Sequence, residues 1–169
     1  MKKAWIRFAV LVALALLFLS FALFASVLAP FDPLESHYAD MLKAPNSTYI
    51  FGTDQLGRDL FSRILYGGKS SLLIAFAVTA IISSVGILVG TIAGFTGGIF
   101  DNLLMRFSDM LMAFPGYIFT IALVSFIGVG LPNMILAMSL TGWTFYARIS
   151  RSLVLSVKNN VYIEQARLG

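Results

Sequence analysis

The residues able to do polar chemistry are few and grouped. One cluster reads Phe51-Gly52-Thr53-Asp54-Gln55-Leu56-Gly57-Arg58-Asp59-Leu60-Phe61-Ser62-Arg63 and alternates acids with arginines. A second holds Arg106 and Asp109, and a third holds Arg148 and Arg151. Asp54, Arg58 and Asp59 are too few and too mixed in sign for a metal cage, and His37 is the only histidine. The chain has no cysteine, which excludes disulfides and thiolate metal sites within it. It has no Gly-x-x-x-x-Gly-Lys-Ser/Thr loop, no His-Glu-x-x-His pair and no nucleophile–base–carboxylate set. No catalytic, cofactor-binding or metal-binding residue is therefore assigned, and the chain is not read as an enzyme.

The elements that carry these groups are apolar and long. Hydrophobic residues make up 59% of the chain and charged residues 12%, about half the charged share of a soluble domain. No charge occurs from Phe8 through Phe31, from Ser70 through Phe100, or from Met110 through Ala147. Each run exceeds the roughly 20 residues a helix needs to cross the hydrocarbon. The first run is longer than a signal-peptide core and is read as a retained span. The third is broken by Gly128, Gly130, Pro132 and Asn133, so it splits into spans near 104–127 and 134–155. The fold class is therefore all-α, a polytopic transmembrane bundle with about four spans. Its segments are a tail and first span (1–29), an external loop with an amphipathic segment (30–69), a three-span core (70–157) and a cytoplasmic segment (158–169).

Charge sets the orientation. With the N-terminus in the cytoplasm, Lys2, Lys3, Arg7, Arg106, Arg148, Arg151, Lys158 and Arg167 lie inside or at the inner border. The external segment Asp32 to Lys69 then holds four basic residues, so inner lysines and arginines outnumber outer ones eight to four, as the positive-inside rule requires. The formal charge of +4 reports topology and gives no support for nucleic-acid binding.

Thr53 or Asp54 is expected to cap a helix from about Gln55 to Tyr66 lying along the outer surface. Asp59 and Arg63 are expected to pair across one turn. That helix is either a solvated amphipathic element or a rigid cap at the mouth of a pathway, or a dock for an outside partner. Gly86, Gly90 and Gly94 recur every four positions and offer a face for close helix approach. Asp101 is placed to cap the helix after Gly97-Gly98. Asp109 needs a partner or a bundle-facing position, and Arg106 is the nearest candidate. Arg148 and Arg151 either snorkel to headgroups or pair across an interface. Pro115 should kink or loosen its helix, lining a pathway or serving packing alone.

The chain ends in Tyr162-Ile163-Glu164-Gln165-Ala166-Arg167-Leu168-Gly169. A polar helix with Lys158, Glu164 and Arg167 beside a span offers charge-pairing groups to a partner protein. A plain juxtamembrane helix is the alternative.

The order and spacing of these pieces carry a resemblance. They are Gly52-Thr53-Asp54-Gln55-Leu56-Gly57-Arg58-Asp59 with Ser62-Arg63, then Ser71-Leu72, then Met105-Arg106-Phe107-Ser108-Asp109 with Pro115. Trp143 with Tyr146-Ala147-Arg148 and Arg151 follows, and Tyr162 to Arg167 closes the set. Along nearly its whole length the chain resembles the second inner-membrane permease subunit of ABC importers for dipeptides, oligopeptides and nickel. The resemblance implies a six-span permease whose cytoplasmic loop after the fourth span carries Glu-Ala-Ala, three residues, then Gly. That loop forms a short coupling helix seated on the ATP-hydrolysing subunit. Glu164 and Ala166 match the Glu and second Ala, Gln165 replaces the first Ala, and Tyr162 and Arg167 flank them. The motif glycine would follow Gly169, so a C-terminally truncated permease is expected. The implied partners are a homologous permease, cytoplasmic ATP-binding subunits, an extracellular solute-binding protein and membrane lipid. No cofactor is expected in this chain, ATP being used by the partner subunit. A four-span membrane scaffold or assembly protein without transport activity is the rival reading.

Overall fold

The computed structural model describes residues 2–158. Six α-helices follow one another: α1 (Lys2–Leu23), α2 (Ala25–Leu28), α3 (Leu60–Thr96), α4 (Gly98–Met112), α5 (Gly116–Ile127) and α6 (Leu131–Lys158). A 3-10 turn occupies Tyr38–Asp40, and the only β pairing among the described residues is an isolated bridge between Thr53 and Asp59. The all-α expectation holds. Contacts divide the chain between Leu73 and Ile74 into two compact units, which are described separately.

In the first unit, α1 carries the apolar segment Trp5–Leu23, with mean hydropathy 2.6. Its large side chains are mostly exposed, Trp5, Leu11 and Phe18 among them, so lipid or another protein must cover them. The loop after α2 is held by bonds within itself and by bonds to the start of α3. Asn46 accepts the amides of Thr48 and Tyr49 through Oδ1 at 2.9 and 3.0 Å, an Asx turn. Buried Tyr49 packs on Phe31 with ring centroids 5.2 Å apart. Gly57 has φ +73°, and a Cβ there would run into the His37 carbonyl. Only glycine fits at that position.

Helix α3 starts five residues later than the sequence reading placed it. Residues 54–59 form a turn, Gly57 cannot continue a helix at its φ, and Asp59 is the cap that operates. Its Oδ2 accepts the Ser62 amide at 2.8 Å and the Ser62 hydroxyl at 2.6 Å. Two capping signals compete here, and the glycine decides between them. From Leu60 the helix then runs unbroken to Thr96 as one 37-residue element. No separate surface helix precedes the span.

In the second unit, Gly97 and Gly98 take φ of +66° and +68° and turn the chain from α3 into α4. Asp101 does not cap α4. The helix begins at Gly98 without a side-chain cap, and the Asp101 carboxylate points to another helix. Helices α4 and α5 meet at a break that includes Pro115 and are bent by 80°. The span expected near 104–127, with a kink or loosening at Pro115, is thus two helices with an elbow. Pro115 ends one and starts the other rather than kinking a continuous rod, because it has no N–H to offer the preceding turn. Gly128 and Gly130, at φ +99° and +154°, make the second turn. Asn133 closes it by donating from Nδ2 to the Gly128 carbonyl at 2.9 Å.

By length and apolarity α1 and α3 are sufficient to cross a membrane, and the α4–α5 pair is a third candidate if it counts as one span. Helix α6 has 28 residues but is too polar to join them, with Asn133, Ser139, Thr141, Thr144, Arg148, Ser150 and Arg151 along its length. By length and composition two or three spans are thus identified among the described residues, and the polytopic helical expectation holds. The α6 sequence suits a helix covered by protein more than one bathed in lipid.

The glycine face of α3 behaves as its spacing predicts. Cβ atoms added at Gly86 and Gly94 would lie 2.5 Å from the Trp143 carbonyl oxygen and 3.1 Å from that of Arg151, and one at Gly90 would strike the Ala147 backbone. Helix α6 therefore rests against the α3 backbone itself. Ala93 and Ala147 are fully buried there, and the Thr91 and Ser150 hydroxyls meet at 3.3 Å.

Candidate functional site

Two polar constellations stand out, one in each unit. The first is the loop before α3. Asp54 receives the amides of Leu56 and Arg58 on Oδ1 at 2.8 and 3.1 Å, and the Arg58 guanidinium on Oδ2 at 2.8 Å. Burial works against the Asp54 charge, yet the two amides and Arg58 outweigh it and hold the carboxyl below its ordinary value. Arg63 lies 3.6 Å from the same carboxylate and donates to the Pro33 carbonyl at 3.3 Å. The expected Asp59–Arg63 pair does not form, because Asp59 is spent on capping α3 and is only 2% exposed. Its Oδ1 has no partner among the described residues.

A second knot sits beside it. Asp40 binds Lys43 and accepts the Tyr49 hydroxyl at 2.6 Å. Lys43 first and Tyr49 second lower the Asp40 carboxyl below its usual range, while the bond to Asp40 raises the Tyr49 phenol. Thr53 accepts the Lys43 amide at 2.9 Å and donates to the Asp40 carbonyl. Neither knot resembles a catalytic centre. Among the described residues no three His, Cys, Asp or Glu side chains come together as a metal site. His37 sits 3.8 Å from Glu35 at the surface. An apolar crevice of about 360 Å³, lined by Phe18, Phe21, Phe51, Phe61, Leu65 and Gly68 among others, lies in the same unit.

The second constellation joins α4 to α6. Arg151 donates from Nε and Nη2 to the two Asp101 oxygens at 2.5 and 2.6 Å, a bidentate fork. The Asp101 side chain is 7% exposed and that of Arg151 30%, so the pair is largely withdrawn from its surroundings. One turn earlier, Arg148 pairs with Asp109. These side chains are 48% and 62% exposed, so this contact is far more open. The expected Arg106–Asp109 pair is not observed. Asp109 points to α6 instead, and Arg106 makes no ion pair among the described residues. Phe107 stacks on Trp143 at 6.5 Å between the same helices. At the end of α6, Lys158 donates to the Phe95 carbonyl at 2.8 Å and lies 5.9 Å from the centre of its ring.

Both α6 arginines thus pair with acids of their own chain. Asp101 is the functional candidate that the sequence reading passed over as a cap. A signal existed: α4 carries two acids and α6 two arginines, and charges set in apolar helices must find each other. Tyr162, Glu164, Gln165, Ala166 and Arg167 lie outside the described residues.

Comparison with known proteins places this arrangement. Residues 86–169 match the family model of the binding-protein-dependent transport system inner membrane component. The chain is 36% identical over 169 residues, its full length, to the nickel transport system permease protein NikC of Escherichia coli (strain K12), covering 61% of that protein. It is 37% identical to the di/tripeptide transport system permease protein DppC of Pseudomonas aeruginosa (strain UCBPP-PA14), over 88% of this chain and 51% of the relative. It is also 37% identical to the oligopeptide transport system permease protein OppC of Bacillus subtilis (strain 168), over 84% of this chain and 47% of the relative. The chain spans about half to three-fifths of the length of these curated relatives. The matched region begins at Gly86, the first glycine of the face on which α6 rests. The chain is a helical membrane protein, and over residues 86–169 it belongs to the family of binding-protein-dependent transport system inner membrane components.

Proposed function

We propose that this chain contributes the membrane pathway of an ATP-driven importer of peptides or nickel, as a permease subunit that works beside a homologous permease. The observation that carries this reading is the 36% identity to a nickel permease along the whole chain, loop and helices alike. In this reading the N-terminus is cytoplasmic, and the loop between α2 and α3 faces the side from which an extracellular solute-binding protein delivers substrate. The association of Arg151 with Asp101 and of Lys158 with Phe95 supports it, because the basic end of α6 and the α3–α4 turn come together as one polar end.

The chain offers no phosphate-binding loop, so ATP is bound and hydrolysed by separate cytoplasmic subunits. Tyr162, Glu164, Gln165, Ala166 and Arg167 form the contact to them, and no cofactor resides in this chain. The rival scaffold reading has no comparable support, since the named relatives are permease proteins.

Deleting residues 164–169 from the full-length subunit should abolish copurification with the ATPase. Undiminished copurification and ATP hydrolysis would overturn the reading. Uptake of labelled dipeptide and of labelled nickel by cells carrying the complete system identifies the substrate class.

A further inference from the structure

The end of α6 is fastened to the α3–α4 turn by side chains, whereas the turn itself has little of its own. Gly97 and Gly98 both sit at positive φ with nothing within 4 Å of a built Cβ, and α4 starts without a side-chain cap. The turn keeps its own backbone bonds, Gly97 to the Ala93 carbonyl at 3.0 Å among them, and its side-chain anchors come from α6. Arg151 grips Asp101 in the first turn of α4 through two bonds, at 2.5 and 2.6 Å. Lys158 reaches the Phe95 carbonyl in the last turn of α3 at 2.8 Å. Arg151 and Lys158 are seven residues apart, two turns along one face of the helix. The same face carries Ala147 and Val154, which lie against Gly90 and Gly94.

We infer that Asp101, Arg151 and Lys158 are positioning residues of a transmission joint. The joint locks the end of α6 to the α3–α4 turn, so that a displacement of the segment after Lys158 moves three helices together. The inference rests on the reading of that segment as the ATPase contact. Without the fork and the lysine, a push on the end of α6 is absorbed by the two-glycine turn, whose backbone has no other side-chain anchor. With them, the push reaches α3 along the tight glycine face and α4 through Asp101. The neighbouring Asp109–Arg148 pair is open to its surroundings and does not touch the turn, so it has no such role.

The test uses the full-length subunit assembled with its permease partner, ATPase and binding protein. Labelled dipeptide and labelled nickel are the transported probes, and import is read per ATP hydrolysed. Asp101→Asn and Lys158→Met should leave ATPase copurification and hydrolysis in place and lower import per ATP by about tenfold, a usual size for coupling between sites. The exchange of partners, Asp101→Arg with Arg151→Asp, should restore part of the ratio, which a purely local packing role would not. An unchanged import-to-hydrolysis ratio in both single variants overturns the joint. If Asp101→Asn fails to reach the membrane, Lys158→Met decides alone, since that side chain lies near the surface. A wild-type assembly that neither retains the ATPase nor imports either probe overturns the functional reading itself, and that result is distinct from a working wild type with indifferent variants.

Discussion

The loop ahead of α3 and the contacts around α6 use the same residue types in opposite ways. In the loop, Lys43 pairs with Asp40 across three residues and Arg58 with Asp54 across four. Around α6, the polar partners are 39, 50 and 63 residues apart in sequence. The ion pairs of the loop join near neighbours, and its longest-range polar ties run to the start of α3, through Arg63 on the Pro33 carbonyl and Ser62 on the Phe31 amide. The α6 contacts record how three helices lie on one another and vanish if that packing changes. Local knots make a stiff surface feature, whereas long-range forks fix the arrangement of the bundle.

That contrast can be broken by removing one member from each region. The largest effect is expected for Arg151→Met, which leaves the Asp101 carboxylate withdrawn and alone, at about 3 kcal/mol. Thermal unfolding of the purified subunit in detergent, with membrane abundance, reads it. Gly90→Leu attacks the same packing sterically, since its side chain would fall on the Ala147 backbone, and should cost about 1–3 kcal/mol or more. Gly67→Ala, with open space around it, is the matching control and should not destabilise. Next comes Asp59→Ala in the loop region, at about 1 kcal/mol for a lost helix cap. It should raise amide exchange at the start of α3 and leave α6 protected.

Arg148→Met removes the more open of the two pairs and should cost less than Arg151→Met in the same unfolding assay. A loss as large as that of Arg151→Met would erase the distinction between the two α4–α6 pairs. Acid is the mildest perturbation. The Asp40 and Asp54 carboxyls are held below their ordinary values in the folded loop. Their contribution is complete above the unfolded carboxylate value of about 3.9 and is lost as pH falls through the lower folded values. The Tyr49 phenol is held above its ordinary value, so its contribution is present below about 10 and fades as pH rises beyond that. Amide exchange at Leu42 and Thr53, corrected for intrinsic rates, should therefore stay slow through neutral pH and quicken at both extremes.

Much of the helical frame was legible because charge-free runs and breakers are local signals. The glycine face on α3, the Gly128–Asn133 turn and the break at Pro115 all follow from residue type and spacing. Thr53 and Asp54 have the residue types of caps, yet Gly57, at positive φ against His37, keeps residues 54–59 out of the helix and leaves the cap to Asp59. Asp59 was assigned to Arg63 on spacing, yet the same carboxylate serves a cap and cannot reach both. The Asp101–Arg151 fork was hidden for a different reason. Its members are 50 residues apart, and no periodicity within either helix reveals which acid meets which arginine.

The elbow at Pro115 has a consequence for solvent. Pro115 lacks an N–H, and Ala113 closes α4 by donating back to the Asp109 carbonyl. Among the described residues the last carbonyls of α4 have no following helical amide to receive them. Hydrocarbon cannot satisfy such groups, so wherever the α4–α5 pair crosses the bilayer its elbow must be met by protein or by water. The bend is a point at which the bilayer around this subunit cannot be dry unless another polypeptide seals it.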